Sequence, residues 1–375
     1  MADVRGKQRV FKHFYGSIIF AAAAMALAAF TGLGETGSAA GALQALFVVS
    51  VLGVMETSLS LDNAIVNAAT LKGMDAKWQR RFLTWGILIA VFGMRVIFPL
   101  AIVSVSALVS PLEAVRIALF DHARYESIVV GAHVGISGFG GAFLMLVGLH
   151  FFLDPDREHH WFSFVEAPLG AIGRIRFAPY ILTIVGVVAI TLLLPSFDRR
   201  TFIVAAVAGM ATYLAVQKLG DALGEEDNLT GKVARTGLGA FIYLEFLDAS
   251  FSFDGVIGAF AITNDIVMIA LGLGIGAMFV RSMTVALVRG GQMADYRFLE
   301  PGAFYAIVAL AAIMLLSPLF DVPEVVTGLI GAVFIGAAFI ASVRHRARFP
   351  EQYAEDGEAQ AILPSGAVVA GAKTS

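Results

Sequence analysis

Ten stretches of this 375-residue chain are apolar for long enough to cross the hydrocarbon core of a bilayer or nearly so, which takes about 20 helical residues. They run approximately over 16–34, 42–70, 82–109, 127–153, 178–195, 201–217, 236–262, 265–288, 303–320 and 325–343. A backbone surrounded by lipid must satisfy its own polar groups, so segments of this kind fold as helices packed on one another. The expected fold class is all-α, a polytopic transmembrane helix bundle of about 10 spans. The fifth and sixth segments are short and divided only by Pro195-Ser-Phe-Asp198-Arg199-Arg200, so that pair also suits a re-entrant hairpin. The chain is 58% hydrophobic and only 15% charged, with a mean hydropathy of +0.81, whereas soluble domains carry roughly 25% charged residues. It contains no cysteine, which excludes disulfides, thiolate metal sites and cysteine nucleophiles.

Basic residues give an independent test of the span count. With the N-terminal side placed in the cytoplasm, the inner segments hold twenty Lys and Arg residues, whereas the outer loops hold only Arg116, Arg124, Arg199 and Arg200. That asymmetry is what the positive-inside rule predicts for ten spans with both termini cytoplasmic, as in a bacterial-type inner membrane. Residues 1–15 then form a cytoplasmic segment, 16–195 a first transmembrane repeat, 196–343 a second, and 344–375 a cytoplasmic tail. The acidic Glu355-Asp356-Gly357-Glu358 cluster and small residues mark that tail as disordered. Lys7 to Lys12 followed by an Ala-rich run also has the look of a secretory signal. The apolar run exceeds a usual signal core, so a retained span is expected.

The repeat assignment comes from a duplicated motif. Glu56-Thr-Ser58-Leu-Ser60-Leu-Asp62-Asn63 recurs 192 residues later as Asp248-Ala-Ser250-Phe-Ser252-Phe-Asp254-Gly255. An ionisable residue at the centre of a membrane helix costs about 2.5–3.5 kcal/mol on insertion scales, so acids duplicated in register mark a functional site. Five spans separate the copies, which gives the halves inverted topology, an arrangement typical of secondary transporters that bind substrate on broken helices near the bilayer midplane. Positions six apart on a helix are rotated by roughly 120° and separated by about 9 Å. Glu56 and Asp62 therefore share one ion only if the helix unwinds between them; otherwise they serve different faces. Asn63 and Gly255 are the expected break points.

The side chains around the motifs offer oxygen: Glu56, Asp62, Asn63, Asp248 and Asp254, with Ser58, Asn67, Glu245 and Ser250 as further candidates. Carboxylate, hydroxyl and amide oxygens suit Mg²⁺, Ca²⁺ or Mn²⁺, whereas softer metals favour His, Cys or Met arrays. His133 and His150 do not make such an array. Membrane serines commonly bond the carbonyl four residues back instead of a ligand. Arg95, near mid-span, reads as a counter-charge or gate, and Arg281, nearer a span end, as a snorkelling side chain. Gly131-x-x-x-Gly135 and Gly272-x-x-x-Gly276 read as helix-packing faces. His159, His160 and Glu166 read as solvated loop. No hydrolase elbow, phosphate loop or His-Glu-x-x-His is present. The motif aspartates could instead serve an intramembrane aspartyl protease, although the Ser-x-Ser would then have no role.

The stretch from Glu56 through Asp62-Asn63-Ala64, Trp85-Gly86 with Arg95 in the following span, and Glu245-x-x-Asp248-x-x-Phe251-x-x-Asp254 followed by Phe260-Ala-Ile-Thr263 resembles the TerC family of integral membrane proteins. The likeness covers roughly residues 45–105 and 236–285, with a weaker echo at Gly141 to Asp154. Where that family tends to read Ser-Ile-Pro-Ala after the second aspartate, this chain has Gly255-Val256-Ile257-Gly258. It is also longer, which fits a longer branch. The family takes its name from tellurium-resistance operons, and several members are similar to manganese exporters. The resemblance implies a secondary transporter exporting a divalent cation, Mn²⁺ with Ca²⁺ as the rival. Export against a negative interior requires coupling, and proton antiport is the economical form. Metal ion and proton would be substrates and the bilayer the surroundings; no enzyme activity, resident cofactor or nucleic-acid partner is expected. A non-transporting membrane component of a metal or tellurite resistance complex is the alternative.

Overall fold

The computed structural model describes residues 12–349 apart from 156, 158–159, 176, 224–236, 261, 290–295 and 321. Among them all regular structure is helical, and the chain is an all-α polytopic bundle. The helices are α1 (Tyr15–Thr36), α2 (Ala39–Leu59), α3 (Leu61–Lys72), α4 (Ala76–Leu88), a π-helical segment (Ile89–Ile97), α5 (Phe98–Ser106), α6 (Pro111–Phe120), α7 (His122–Gly131), α8 (His133–Phe152), α9 (Ser163–Gly173), α10 (Ala178–Leu193), α11 (Ser196–Leu223), α12 (Leu238–Phe260), α13 (Ile266–Arg289), α14 (Leu299–Leu316) and α15 (Glu324–Arg348).

Eight helices are long and apolar enough to span a membrane by themselves, and α9 with α10 form a pair bent by 104° that would make a ninth. The bend falls in the region where the sequence allowed a re-entrant hairpin, one element earlier than expected. Helix α12 has the length of a span, 23 residues, but carries Glu245, Asp248 and Asp254. Those three acids are why it stands apart from the others on apolarity.

Local chemistry sets the turns. Gly37 takes a left-handed φ of 64° between α1 and α2, and Ser38 then caps α2 by accepting from the amide of Gly41. Helix α1 is docked to the bundle through Ser17, whose hydroxyl contacts Ser282 and the carbonyl of Met278, each at 2.6 Å. The π segment has a local cause: Pro99 has no amide to continue the ladder, and the amide of Phe98 bonds back to the carbonyl of Gly93, five residues away.

The expected break in the first motif helix occurs at Ser60, not Asn63. Ser60 adopts φ −100° and ψ 20°, and the freed amide of Asn63 is taken by the Asp62 carboxylate at 2.9 Å. The second motif helix, α12, is continuous through Gly255. Gly255 supplies space instead of a turn, because a β-carbon there would fall well under 3.0 Å from Oε2 of Glu56.

Contacts along the motif helices fix their relative direction. Gly255 faces Glu56, while Asp248, earlier on α12, is reached by Asn63 and Asn67, later on α3. The two motif helices therefore run antiparallel, and the halves that carry them are inverted. Helix α13 packs chiefly on α2, and the π segment packs on α12 and α13, so the span after each motif lies against the other half. Among the glycines expected to pack helices, Gly272 meets Leu52 and Gly276 meets Glu56, but Gly131 faces open space. In α8 the close approaches are made instead by Gly138 to the Phe202 carbonyl and by Gly141 to Leu315.

Candidate functional site

The polar centre lies where α2, α3, the π segment, α12 and α13 meet. Glu56, almost wholly buried, forms an ion pair with Arg95 and accepts from Ser60 Oγ at 3.1 Å. Arg95 is fully engaged, donating also to the carbonyls of Ala90 and, from Nε, of Leu273 at 3.2 Å. The π turn thus presents Arg95 across the bundle to both halves.

Asp248 sits one level away along the bundle. Its Oδ1 accepts from Nδ2 of Asn63 at 2.7 Å and from Nδ2 of Asn67 at 2.8 Å, which leaves both amide oxygens buried without a partner. These groups, with Ser60, Ser252, Thr284, Arg95 and Arg281, line a cavity of about 20 Å³, enough for one water-sized guest. Buried polar groups normally find partners. Two amide oxygens left open beside a carboxylate therefore mark a place for something that is positive or donates hydrogen bonds.

Glu245 lies one turn from Asp248 on α12, and both its carboxylate oxygens lack partners. Opposite stands Arg281, buried to 5% exposure, with its guanidinium carbon 3.6 Å from the centre of the Phe82 ring and with Nε and Nη2 unpartnered. Gly86 makes their approach possible: a β-carbon there would stand 2.6 Å from Arg281 Nη2 and 3.0 Å from Glu245 Oε1. The snorkelling expected of Arg281 is absent: its head lies on the Phe82 ring, beside Glu245. Only the neighbours on α4 and α12 reveal this, and distance from the span end does not.

The acids do not all converge. Asp62 opens into a second cavity, of about 30 Å³, with Thr327, Gly328 and Gly331 of α15. Glu56 and Asp62 thus serve different faces, one of the two outcomes that helical phase allowed. Ser58 is exposed and bonds the Val54 carbonyl at 2.8 Å, and Ser250 bonds that of Phe246 at 2.9 Å. Each hydroxyl is spent on its own helix and stands apart from the cluster. Asp254 lies on α12, but its side chain is outside the described residues. Among the described residues no three His, Asp or Glu side chains stand close enough to hold a metal ion.

Glu166 is likewise not solvated. It is 0% exposed, pairs with Arg157, accepts from the amides of Trp161 and Phe162 and receives the Tyr305 hydroxyl at 3.0 Å. It fastens the loop before α9 to α14. His159 lies outside the described residues.

A polytopic helical membrane protein with inverted motif helices and a buried, partly unsatisfied polar centre is what the fold and site define. Residues 61–349 match the family described as "Protein of unknown function (DUF475)", and the chain belongs to that family. The match includes Asp62, Arg95, Asp248 and Arg281 but begins after Glu56. Neither a curated protein nor a solved structure matches the chain.

Proposed function

We propose that the protein is a secondary transporter that exports a divalent metal cation by proton antiport, with Mn²⁺ as the first candidate and Ca²⁺ as its rival. The observation that carries this reading is the pair of open amide oxygens on Asn63 and Asn67 beside Asp248 in a cavity of one-water size. A hard cation takes oxygen ligands, and Ser252 lines the same space. In this reading Asp248, the carboxylate that both amides reach, is the anchoring charge. Glu56 joins it only when Arg95 lets go.

Coupling is supported by the charge inventory of the interior. The described buried carboxylates of Glu56, Asp62, Glu245 and Asp248 outnumber the guanidinium groups of Arg95 and Arg281. An apolar interior does not sustain unneutralised charge, so the excess is balanced alternately by protons and by the cation. The resemblance of the motifs to TerC proteins favours the same substrate class. The basic asymmetry of the loops favours cytoplasmic termini in a bacterial-type inner membrane.

The test is flux. Purified protein in proteoliposomes should move Mn²⁺ faster than protein-free vesicles, in proportion to an imposed proton gradient, with Ca²⁺, Mg²⁺ and Zn²⁺ run beside it. Asp248→Asn should abolish the flux while leaving the protein in the membrane, because the amide keeps the shape and removes the charge. Equal flux in that variant would remove Asp248 from the site. Absence of flux for every cation would leave the resistance-complex role as the better reading.

A further inference from the structure

Each half of the molecule carries one buried arginine on the span that follows its motif: Arg95 after the first and Arg281 after the second. Both line the cavity that holds Asp248, Asn63 and Asn67. Their surroundings are alike, although the two arginines are out of register in the repeat, Arg95 lying 33 residues after Asp62 and Arg281 27 after Asp254. Arg95 meets Glu56 of the first motif helix and reaches the Leu273 carbonyl of the opposite half's span. Arg281 faces Glu245 of the second motif helix and lies on Phe82 of the opposite half's span.

The two differ in state. Arg95 is bonded on every side, to one carboxylate and two carbonyls. Arg281 makes no ion pair among the described residues, and Glu245 keeps both oxygens free. The contacts Phe82 to Arg281 and Arg95 to Leu273 show that α4 with its π segment runs antiparallel to α13. Leu273 and Arg281 are eight residues apart on α13, about 12 Å along the axis at the helical rise. The two arginines therefore act at different depths, with the small cavity between them.

We propose that Arg95 and Arg281 are the two latches of this cavity, Arg95 on Glu56 closing one mouth and Arg281 on Glu245 closing the other, and that in this structure, where both sides are buried, the first latch is engaged and the second is not. Inverted repeats exchange conformations when access switches sides, so the alternate state has Arg281 seated between Glu245 and Asp248 and Arg95 withdrawn from Glu56. Gly86 is the clearance that lets Arg281 swing. The proposal rests on the reading of the chain as a transporter, but not on which ion it carries. In the orientation favoured above, α13 runs from outside to inside, so Arg95 guards the outer mouth and Arg281 the inner one.

Accessibility of one reporter cysteine tests this without any ion. The chain has no cysteine of its own, and Ala277 lines the cavity. Ala277→Cys is labelled with a membrane-impermeant maleimide in right-side-out and in inverted vesicles, and the ratio of outer to inner labelling is measured. Arg95→Gln should raise that ratio about tenfold, because the outer mouth no longer closes; Arg281→Gln should lower it by a similar factor. Glu56→Gln and Glu245→Gln break the same latches from the carboxylate side and should reproduce the respective shifts, so a misfolded arginine variant does not end the test. Opposite shifts in either pair of matched variants support the latches. Shifts in the same direction, or an unchanged ratio in variants present in the membrane, overturn them. Opposite shifts without ion flux would retain the latches and remove the exporter reading; flux with unchanged ratios would do the reverse.

Discussion

Gly255→Ala should destabilise the protein although alanine is the better helix former. The position is inside a continuous helix with no special backbone angle, so the exchange alone would favour the variant by about 1 kcal/mol. Against that, the new β-carbon would fall well under 3.0 Å from Oε2 of Glu56, a separation at which something must shift. Oε2 is the end of the Glu56 side chain, but the rest of that side chain is tethered. Arg95 and Ser60 hold its Oε1, and its own Cβ and Cγ fill the space beside Gly276. Overpacking of this sort costs about 1–3 kcal/mol, and a shift that loosens the Glu56–Arg95 pair adds to it, since an uncompensated buried charge costs about 3–5 kcal/mol. The expected balance is a loss of about 1–3 kcal/mol, read from unfolding of purified protein by SDS titration in mixed micelles. Shortening the partner with Glu56→Asp in the same molecule should recover much of the clash, giving a coupling energy of about 1 kcal/mol or more in a double-mutant cycle. Gly186→Ala is the control, because nothing lies within 4 Å of a β-carbon there. If Gly255→Ala unfolds at the same SDS concentration as Gly186→Ala, and the cycle shows no coupling, Glu56 does not occupy the space assigned to it.

Three further outcomes are expected. Glu166→Gln breaks the ion pair with Arg157, whose side chains are 0% and 10% exposed, and should cost about 3–5 kcal/mol in the same titration; wild-type stability would refute the clamp between the loop before α9 and α14. Gly86→Ala should lower Mn²⁺ flux in vesicles by reducing the clearance beside Arg281, with Gly170→Ala, where a β-carbon meets nothing within 4 Å, left at wild-type rate; a wild-type rate for both would show that Arg281 does not need to move. Asp75→Cys, in the turn between α3 and α4, should be labelled only from the cytoplasmic face, and external labelling would reverse the orientation argued from basic residues.

The spans were legible because bilayer thickness imposes a length that apolar composition reveals directly. The inverted halves were legible because the motif is duplicated across an odd number of spans. Details within the helices were less so, since one residue type serves several physical ends. Gly255 reads in sequence as a backbone break, yet its missing β-carbon is used for side-chain room. Asn63 reads the same way, but its amide spans to Asp248 and the kink falls at Ser60. Pro99, in contrast, did carry a usable signal: a residue without an amide inside a long span calls for a compensating irregularity in the preceding turn, and the π segment that aims Arg95 is that irregularity.

Buried charge was the hardest property to read from order alone. Arg281 stands near the end of an apolar run and Glu166 in a loop between two, places where a charged side chain ordinarily reaches water. What keeps them inside is supplied by residues distant in the chain: Phe82 and Glu245 for Arg281, Tyr305 for Glu166. The repeat nevertheless contained a usable constraint. Duplicated halves that each contribute motif acids raise the expectation of a counter-charge in each half, and Arg281 is the buried basic residue on the span after the second motif, although it is not in register with Arg95: it lies 27 residues after Asp254, and Arg95 lies 33 after Asp62. The departure from equivalence is then informative: one arginine is spent on a carboxylate and the other is held over an aromatic ring beside two acids. In transporters built from inverted repeats, access switches sides as one half moves against the other around the site. That is the physical reason to look for movement at these two side chains before any other pair in the molecule.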